Sequence, residues 1–551
     1  MAALASQGFC HQLSCATFKL LLSAIVLLVC HASRSSATAF GGETTVSYSQ
    51  ARLIRTQQGH GAAQALYQEL LRTNPSDTTA ATYIAASPET PARQDAACSY
   101  DNNKSSTTTL IHELRSILDS HNYTNAAVQN VLKVPEKLCY ASCPVYVTPV
   151  AAGTQQHYPP VPKNGLETLI ALFLLGLTQP SSLVEDQFGS TFLPLLQDLG
   201  LAFVDHDCVI PYVHIFPLQL LLPEYRNNLL LVTDLHPRIL SCTTVGSQQH
   251  HTVMYIGPDS LALVQHFVPT LAGRSIATVL DICTGSGIQA LSVVAGVGDN
   301  NNNNSCRRAI CIDINPRALK FVKFNAALNG FEEKIKCILG NVVTGDYQSI
   351  LQDDDDDDAD EESSTAEELL QDGSVDLVLA NPPFIPVPDD NEDVLNRYGL
   401  FSSGGPDGEI VLQGILKLAS RILSRKNGMI AIVSEFMNPN SIELRQRLLQ
   451  FQGDGRFGGV LLTNQFPVSA ELYAARRADS DQEFHVWKQH LRKCGIDDIS
   501  PGLLFLERGE GDSNNLIQHR VVPKTEQGSI WTPSNQEAVD FTRQALSEIL
   551  K

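Results

Sequence analysis

No Cys-x-x-Cys pair occurs among the thirteen cysteines of this 551-residue chain, and their spacing is irregular. That excludes the common paired-thiolate zinc and redox patterns. Cys139 and Cys143 stand four apart with no matching His or Cys pair, so no metal is expected. Cys10, Cys15 and Cys30 fall in a segment expected to be removed, and the other ten read mostly as reduced core thiols. Runs of Lys and Arg are missing too, which argues against a tight, sequence-independent nucleic-acid binder while leaving a local basic groove open. The formal charge is −20, but 353–372 alone supplies twelve acids and no base. Without that block the charge is about −8, modestly acidic. No internal repeat is visible.

What is present at the N-terminus is a targeting pattern. Lys19 precedes an eleven-residue apolar run, Leu20–Cys30, too short to span a bilayer comfortably, and Ala37-Thr38-Ala39 offers a small-x-small cleavage site. Phe40 follows, then a stretch with Thr44, Thr45, Ser47, Ser49, Arg52 and Arg55 against one acid, Glu43. That arrangement resembles the two-part presequence of algae with secondary plastids. Residues 1–60 are therefore expected to be a signal-plus-transit presequence directing the chain to a plastid, without stable membrane association after cleavage. Secretion, or an uncleaved membrane anchor, is the alternative, and the sequons at Asn103 and Asn122 suit the secretory one.

The length predicts two or three folding units plus tails. Residues 61–250 read as a mainly helical (α+β) auxiliary domain that serves substrate recognition: Thr107–Leu118 and Gly165–Leu177 carry apolar residues at helical spacing, while Leu201–Val213 and Asn228–Val232 look like short strands. A winged-helix-like unit fits that order. From residue 251 to 510 strands alternate with helices, which predicts an α/β, Rossmann-like doubly wound sheet. Its strands are expected at Ala277–Ile282, Ala309–Asp313, Ile335–Leu339, Val375–Ala380 and Gly428–Ser434, with Val460–Thr463 and Leu503–Glu507 closing the sheet. Two polar inserts, 298–305 and 351–372, are expected to be disordered loops, and 511–551 a tail with a helix.

Three constellations carry chemistry. Asp281-Ile282-Cys283-Thr284-Gly285-Ser286-Gly287 follows a strand and opens a helix, so small residues let a ligand approach backbone and helix amides. Tight structural turns use glycine as well. Asp313, followed by Ile314, ends the next strand where an acid can accept from two ribose hydroxyls; a helix-capping role is the plainer alternative, one that Asn315 fills better. Most specific is Asn381-Pro382-Pro383-Phe384, where two prolines stop a strand's ladder at the carboxyl edge of the sheet. The Asn381 side-chain oxygen and the Pro382 carbonyl can hold both N–H groups of a planar nitrogen, an amide or exocyclic amine, with Phe384 packed on it. Read alone, this is also a plain loop with a core phenylalanine.

Motif by motif, Tyr255–Glu435, roughly a third of the chain, resembles the glutamine N-methyltransferases that modify release factors and a ribosomal protein. Gly257-Pro258-Asp259-Ser260 resembles the segment leading into that family's catalytic domain, and Asp281–Gly287 its cofactor loop, with Cys283 where many members have glycine. Asp313 matches the ribose-binding acid; Gly340-Asn341 matches a Gly-Asp pair, which places Asn341 at the adenine amine. Asn381–Phe384 matches the catalytic tetrapeptide, with Phe for the commoner Tyr, and Gly404-Gly405-Pro406-Asp407-Gly408 the glycine-rich approach to the next helix. The upstream region does not resemble the release-factor enzymes' substrate domain.

The resemblance implies a class I methyltransferase fold, S-adenosylmethionine as cofactor, and a protein substrate such as a translation factor or ribosomal protein. A base amine in ribosomal RNA or DNA is the second acceptor class. Rival readings are a non-catalytic cofactor-binding interaction protein and an NAD-dependent oxidoreductase, which leaves Asn381–Phe384 unexplained.

Overall fold

Val279, Leu280 and Ile282 alternate with nothing polar but Asp281, and this near-continuous apolar run becomes the central strand of a ten-stranded mixed sheet. The computed structural model describes residues 104–132, 162–177, 179–205, 207–220, 228–235, 253–271, 274–296, 306–349, 365–389, 394, 402–453, 456–508, 516–523, 529–532 and 536–549. All of these belong to one compact unit, Tyr48–Lys551. The presequence expected at 1–60 and the insert expected at 298–305 lie outside the described residues. Among the described residues no helix is long and apolar enough to cross a membrane.

The upstream region begins with α1 (Lys104–Ser120) and α2 (Asn125–Leu132). α3 (Gly165–Leu169) widens into a fully buried π-turn, Ile170–Leu174, so the helix expected to reach Leu177 stops earlier, before Gly176 at φ +66°. β1 (Gln179–Pro180), α4 (Ser181–Phe188) and α5 (Phe192–Asp198) follow, then β2 (Ala202–Asp205) and β3 (Cys208–Pro211). These strands make a small sheet ordered β1-β3-β2, and β4 (Val213–Leu218) pairs with β5 (Leu229–Asp234) as a separate antiparallel ribbon, both strands wholly buried.

The large sheet is built from α6 (Pro258–Phe267), β6 (Thr278–Ile282), α7 (Ile288–Gly296), β7 (Arg308–Asp313), α8 (Pro316–Leu328), β8 (Ile335–Asn341), β9 (Asp346–Ser349), α9 (Ala366–Leu369), β10 (Leu377–Ala380), α10 (Ile410–Ile422), β11 (Met429–Met437), α11 (Ile442–Phe451), β12 (Phe457–Asn464), β13 (Val468–Ser469), α12 (Ala470–Arg477), α13 (Asp481–Lys493), β14 (Asp498–Arg508), β15 (Ile517–Val522) and α14 (Gln536–Ile549). Nine strands run in the order β15-β12-β14-β11-β10-β6-β7-β8-β9, and the tenth, β13, pairs antiparallel with β14. β8, β7, β6, β10 and β11 are mutually parallel, while β14 runs antiparallel between β11 and β12. The chain winds outward in both directions from β6 and β10, the point where an open α/β sheet forms its ligand crevice.

Three boundaries differ from the sequence expectation. The boundary at 250 does not separate two cores: one apolar cluster runs from Ile111 through Phe216 and Phe324 to Leu546. Asn325 of α8 donates to the Val232 and Ser286 carbonyls (3.0 and 2.9 Å) and accepts from Val232 N–H (2.7 Å), while Asn329 bonds both main-chain groups of Leu230. Four helical residues advance about 6 Å and two strand residues about 6.6 Å, so these asparagines match alternate residues of β5. The acidic insert is also shorter than expected. Residues 351–364 lie outside the described residues, but Thr365 caps α9 through a capping box, and Ala366, Leu369 and Leu370 are buried. Nor is 511–551 a tail, since β15 extends the sheet beside β12, and Ala545 and Leu546 join the core.

Candidate active site

Asp281, next to the end of β6, is buried completely. Its Oδ2 accepts from Thr284 Oγ1 (2.7 Å) and from Ala290 N–H (3.1 Å), tying the strand to the start of α7, and Oδ1 has no partner among the described residues. Burial pushes this carboxyl up from 3.8 to about 7. The turn between runs through positive φ at Cys283 (+57°), Gly285 (+55°) and Gly287 (+82°). Two of these are glycine, which takes that conformation without strain; Cys283 bears a side chain there, a strained geometry concentrated at functional turns. Burial, then the charges of Asp313 and Asp281, hold its thiol well above the usual range, so it is no ready nucleophile.

Asp313 closes β7 and faces the same turn. Its Oδ2 accepts from Gly285 N–H and its Oδ1 from Asn315 N–H, both at 2.9 Å. Asn315 caps α8 with its own side chain, so the capping role is filled and Asp313 is left to the crevice.

These elements surround a cavity of about 340 Å³, within the range of small-molecule sites. Cys283, Thr284, Gly285, Ser286, Asp313, Ile314, Asn341, Asn381 and Pro383 line it; Asp281, Gly287, Pro382 and Phe384 do not. Ile314 and Val343 are both about half exposed on its wall (47% and 49%), an apolar pair suited to a planar base. Gln289 Oε1, buried without a partner among the described residues, adds an acceptor to the wall. The apolar pair, the Asp313 carboxylate and the buried Gln289 acceptor on one cavity wall suit a nucleoside bearing a cationic, N–H-rich arm, as S-adenosylmethionine does. Asn341 departs from expectation: its Oδ1 accepts from Val343 N–H (2.9 Å), leaving Nδ2, a donor suited to a ring nitrogen rather than an amine. Among the described residues no cluster of three or more His, Cys, Asp or Glu side chains is disposed to hold a metal.

Asn381 follows β10 at the cavity edge. Its Nδ2 donates to Asp259 Oδ2 (3.0 Å) and Ser260 Oγ (2.9 Å), both in the first turn of α6 and both nearly buried. With both amide hydrogens engaged, the side chain cannot flip, and Oδ1 remains as the acceptor on offer. The proline-rich turn rests on the glycine loop beyond it. At Gly408, φ is +76° and a Cβ would lie 2.6 Å from the Phe384 carbonyl oxygen, so no larger residue fits.

Several neighbours went unrecognised in sequence. Asp259 and Ser260 came with a family segment but with no role; a helix's first-turn acid ordinarily only serves the dipole. Glu435 on β11 accepts from Tyr473 Oη (2.6 Å) and lies 3.5 Å from Arg477 Nη2 on α12. Its pKa is raised mainly by burial and further by the charge of Asp259, while Arg477 and Tyr473 oppose the shift.

No family model matches the chain. A release factor glutamine methyltransferase of Mycolicibacterium smegmatis is 30% identical over 181 residues, 32% of this chain and 51% of that protein. Another from Mycobacterium leprae is 28% identical over 196 residues, 33% and 56% of the two chains. The chain thus spans about half the length of the curated relatives it matches. Among solved structures, a geranyl diphosphate C-methyltransferase from Streptomyces coelicolor covers 44% of this chain and 77% of its own at 13% identity and a TM-score of 0.24, a likeness that carries no argument. Over the segment shared with the relatives, the chain resembles a class I S-adenosylmethionine-dependent methyltransferase of the release factor glutamine type.

Proposed function

We propose that the protein transfers a methyl group from S-adenosylmethionine to the side-chain amide of a protein glutamine, in a translation factor or ribosomal protein. One observation carries this reading: Asn381, held by Asp259 and Ser260 at the rim of the nucleoside-sized cavity. Bound S-adenosylmethionine supplies an activated methyl group on its sulfonium. Asp313 suits the ribose hydroxyls, Ile314 and Val343 the base, and the Gly285–Gly287 turn lets the ligand close on the backbone. Asn381 Oδ1 and the Pro382 carbonyl accept the two amide hydrogens, drawing the nitrogen lone pair out of conjugation. Held this way by Asn381 and Pro382, the nitrogen would take the methyl from the sulfonium as the sulfur keeps the bonding pair, with its extra proton lost to water.

The test is incubation of purified protein with isotope-labelled S-adenosylmethionine and, in turn, release factors, ribosomal proteins and ribosomal RNA, with mass mapping of the labelled atom. Label on a glutamine amide nitrogen is expected. Label on a base amine alone would select the nucleic-acid reading, and binding of NAD in place of S-adenosylmethionine would defeat both. Delivery to a plastid belongs to the same proposal. A fluorescent protein fused to residues 1–60 tests it by where the fluorescence collects.

A further inference from the structure

The C-terminal segment returns to the catalytic edge of the sheet. Ile530 is fixed from both sides: its N–H donates to Asn464 Oδ1 (2.8 Å), and its carbonyl lies 3.1 Å from His266 Nε2. The other ring nitrogen of His266 meets Thr542 Oγ1 on α14 at 3.0 Å. Trp531 follows, donating its indole N–H to the Gly502 carbonyl at 3.3 Å. The Trp531 ring then lies against Phe384, centroids 5.5 Å apart and planes inclined at 51°. His266 belongs to α6, whose first turn holds Asn381. One helix therefore fixes both the amide-accepting side chain and the segment that brings the second ring.

The two tryptophans of the chain differ in a telling way. Trp487 is completely buried. Trp531 and Phe384 are each only half-buried, and they meet beside the tetrapeptide. At 5.5 Å and 51° the rings cannot sandwich a flat group, which needs about 7 Å between parallel faces. They make a corner instead, where a small plane lies on one ring while the other closes its edge.

We propose that Trp531 and Phe384 form an aromatic corner receiving the planar primary amide of the acceptor glutamine, and that Trp531 determines acceptor specificity. The inference rests on the methyltransferase reading. Here Trp531 touches substrate rather than acting through another residue. Its removal should weaken acceptor binding while the cofactor cavity, which neither ring lines, keeps its affinity.

The experiment has two arms on the full chain. In the first, acrylamide quenches tryptophan emission of the wild type with S-adenosylhomocysteine bound; with Trp487 fully buried, the accessible emission is that of Trp531. Titration with N-acetylglutaminamide should shield it, and Trp531→Phe should abolish the accessible emission. In the second, methylation kinetics with the same compound should show KM rising about tenfold in Trp531→Ala and two- to threefold in Trp531→Phe. The kcat and S-adenosylmethionine affinity of both variants should stay within about twofold. Unchanged KM, absent shielding, or a loss shared equally by KM, kcat and cofactor affinity overturns the proposal. Should Trp531→Ala fail to fold, Trp531→Phe and the shielding arm still decide. Wild type that binds cofactor but never methylates the amide defeats the amide reading itself. Shielding by adenosine alone moves the corner to a base acceptor and refutes the assignment made here.

Discussion

Asn381 Nδ2 lies 3.0 Å from Asp259 Oδ2 across 122 residues of sequence, so the proposed acceptor-binding amide takes its orientation from a helix on the far side of the cofactor loop. Burial holds the Asp259 carboxyl above its ordinary range, against the hydrogen bond from Asn381. Asp259→Ala should leave S-adenosylmethionine affinity intact and lower kcat about 100-fold, as misplacement of a positioning group does. Equal losses in kcat and cofactor affinity would show that the contact only supports the fold.

Asn381→Ala and Asp313→Ala should separate transfer from cofactor binding. The first should abolish methylation while S-adenosylmethionine affinity, measured calorimetrically, stays within a few-fold. Asp313→Ala should weaken the cofactor about tenfold or more, the value of a hydrogen bond to a charged group, with some further loss because Gly285 N–H also needs its acceptor. Full activity without the Asn381 amide would end the proposed mechanism.

Asp281 sets a pH dependence. Folded, it takes up a proton at about 7 against an ordinary 3.8, so between those values the native state holds more protons than the unfolded chain. Its contribution to stability is whole below the lower value and is lost as pH rises through the upper one. Asp281→Asn cannot ionise, and its Tm should gain on the wild type as pH rises from about 5 to 8. Parallel Tm curves across that window would contradict the buried, half-satisfied carboxyl.

The acidic insert can be shortened only so far. Deleting 353–362 should leave Tm and turnover nearly unchanged, since loop length costs little. Extending the cut through Leu370 removes Ala366, Leu369 and Leu370 from the core. At about 1.5–3 kcal/mol for each leucine, the second deletion should show as a marked fall in denaturation midpoint. A neutral result would mean α9 contributes no packing.

The sheet was legible because parallel strands buried on both faces leave apolar runs, as in Leu377–Ala380, and because motifs sit where such strands end. Asp313 and Asn381 could therefore be placed at one edge from sequence. Trp531 could not: it follows an edge strand whose burial alternates irregularly, Ile517–Val522, and its position depends on a histidine more than 260 residues earlier. Asn325 was equally opaque, since an asparagine inside an amphipathic helix reads as a solvated position until its partners are known.

The β4–β5 ribbon has one further consequence. β5 pairs with β4 along one side, and its other side presents the main-chain groups of Leu230 and Val232, which Asn325 and Asn329 occupy instead of another strand. Leu229–Asp234, Leu-Leu-Leu-Val-Thr-Asp, is otherwise the kind of segment that templates intermolecular β-pairing. Two carboxamides, one on α8 and one at its C-terminal cap, thus act as a plug against self-association, and any chimera that keeps this ribbon but exchanges α8 and its cap would free an aggregation-prone edge.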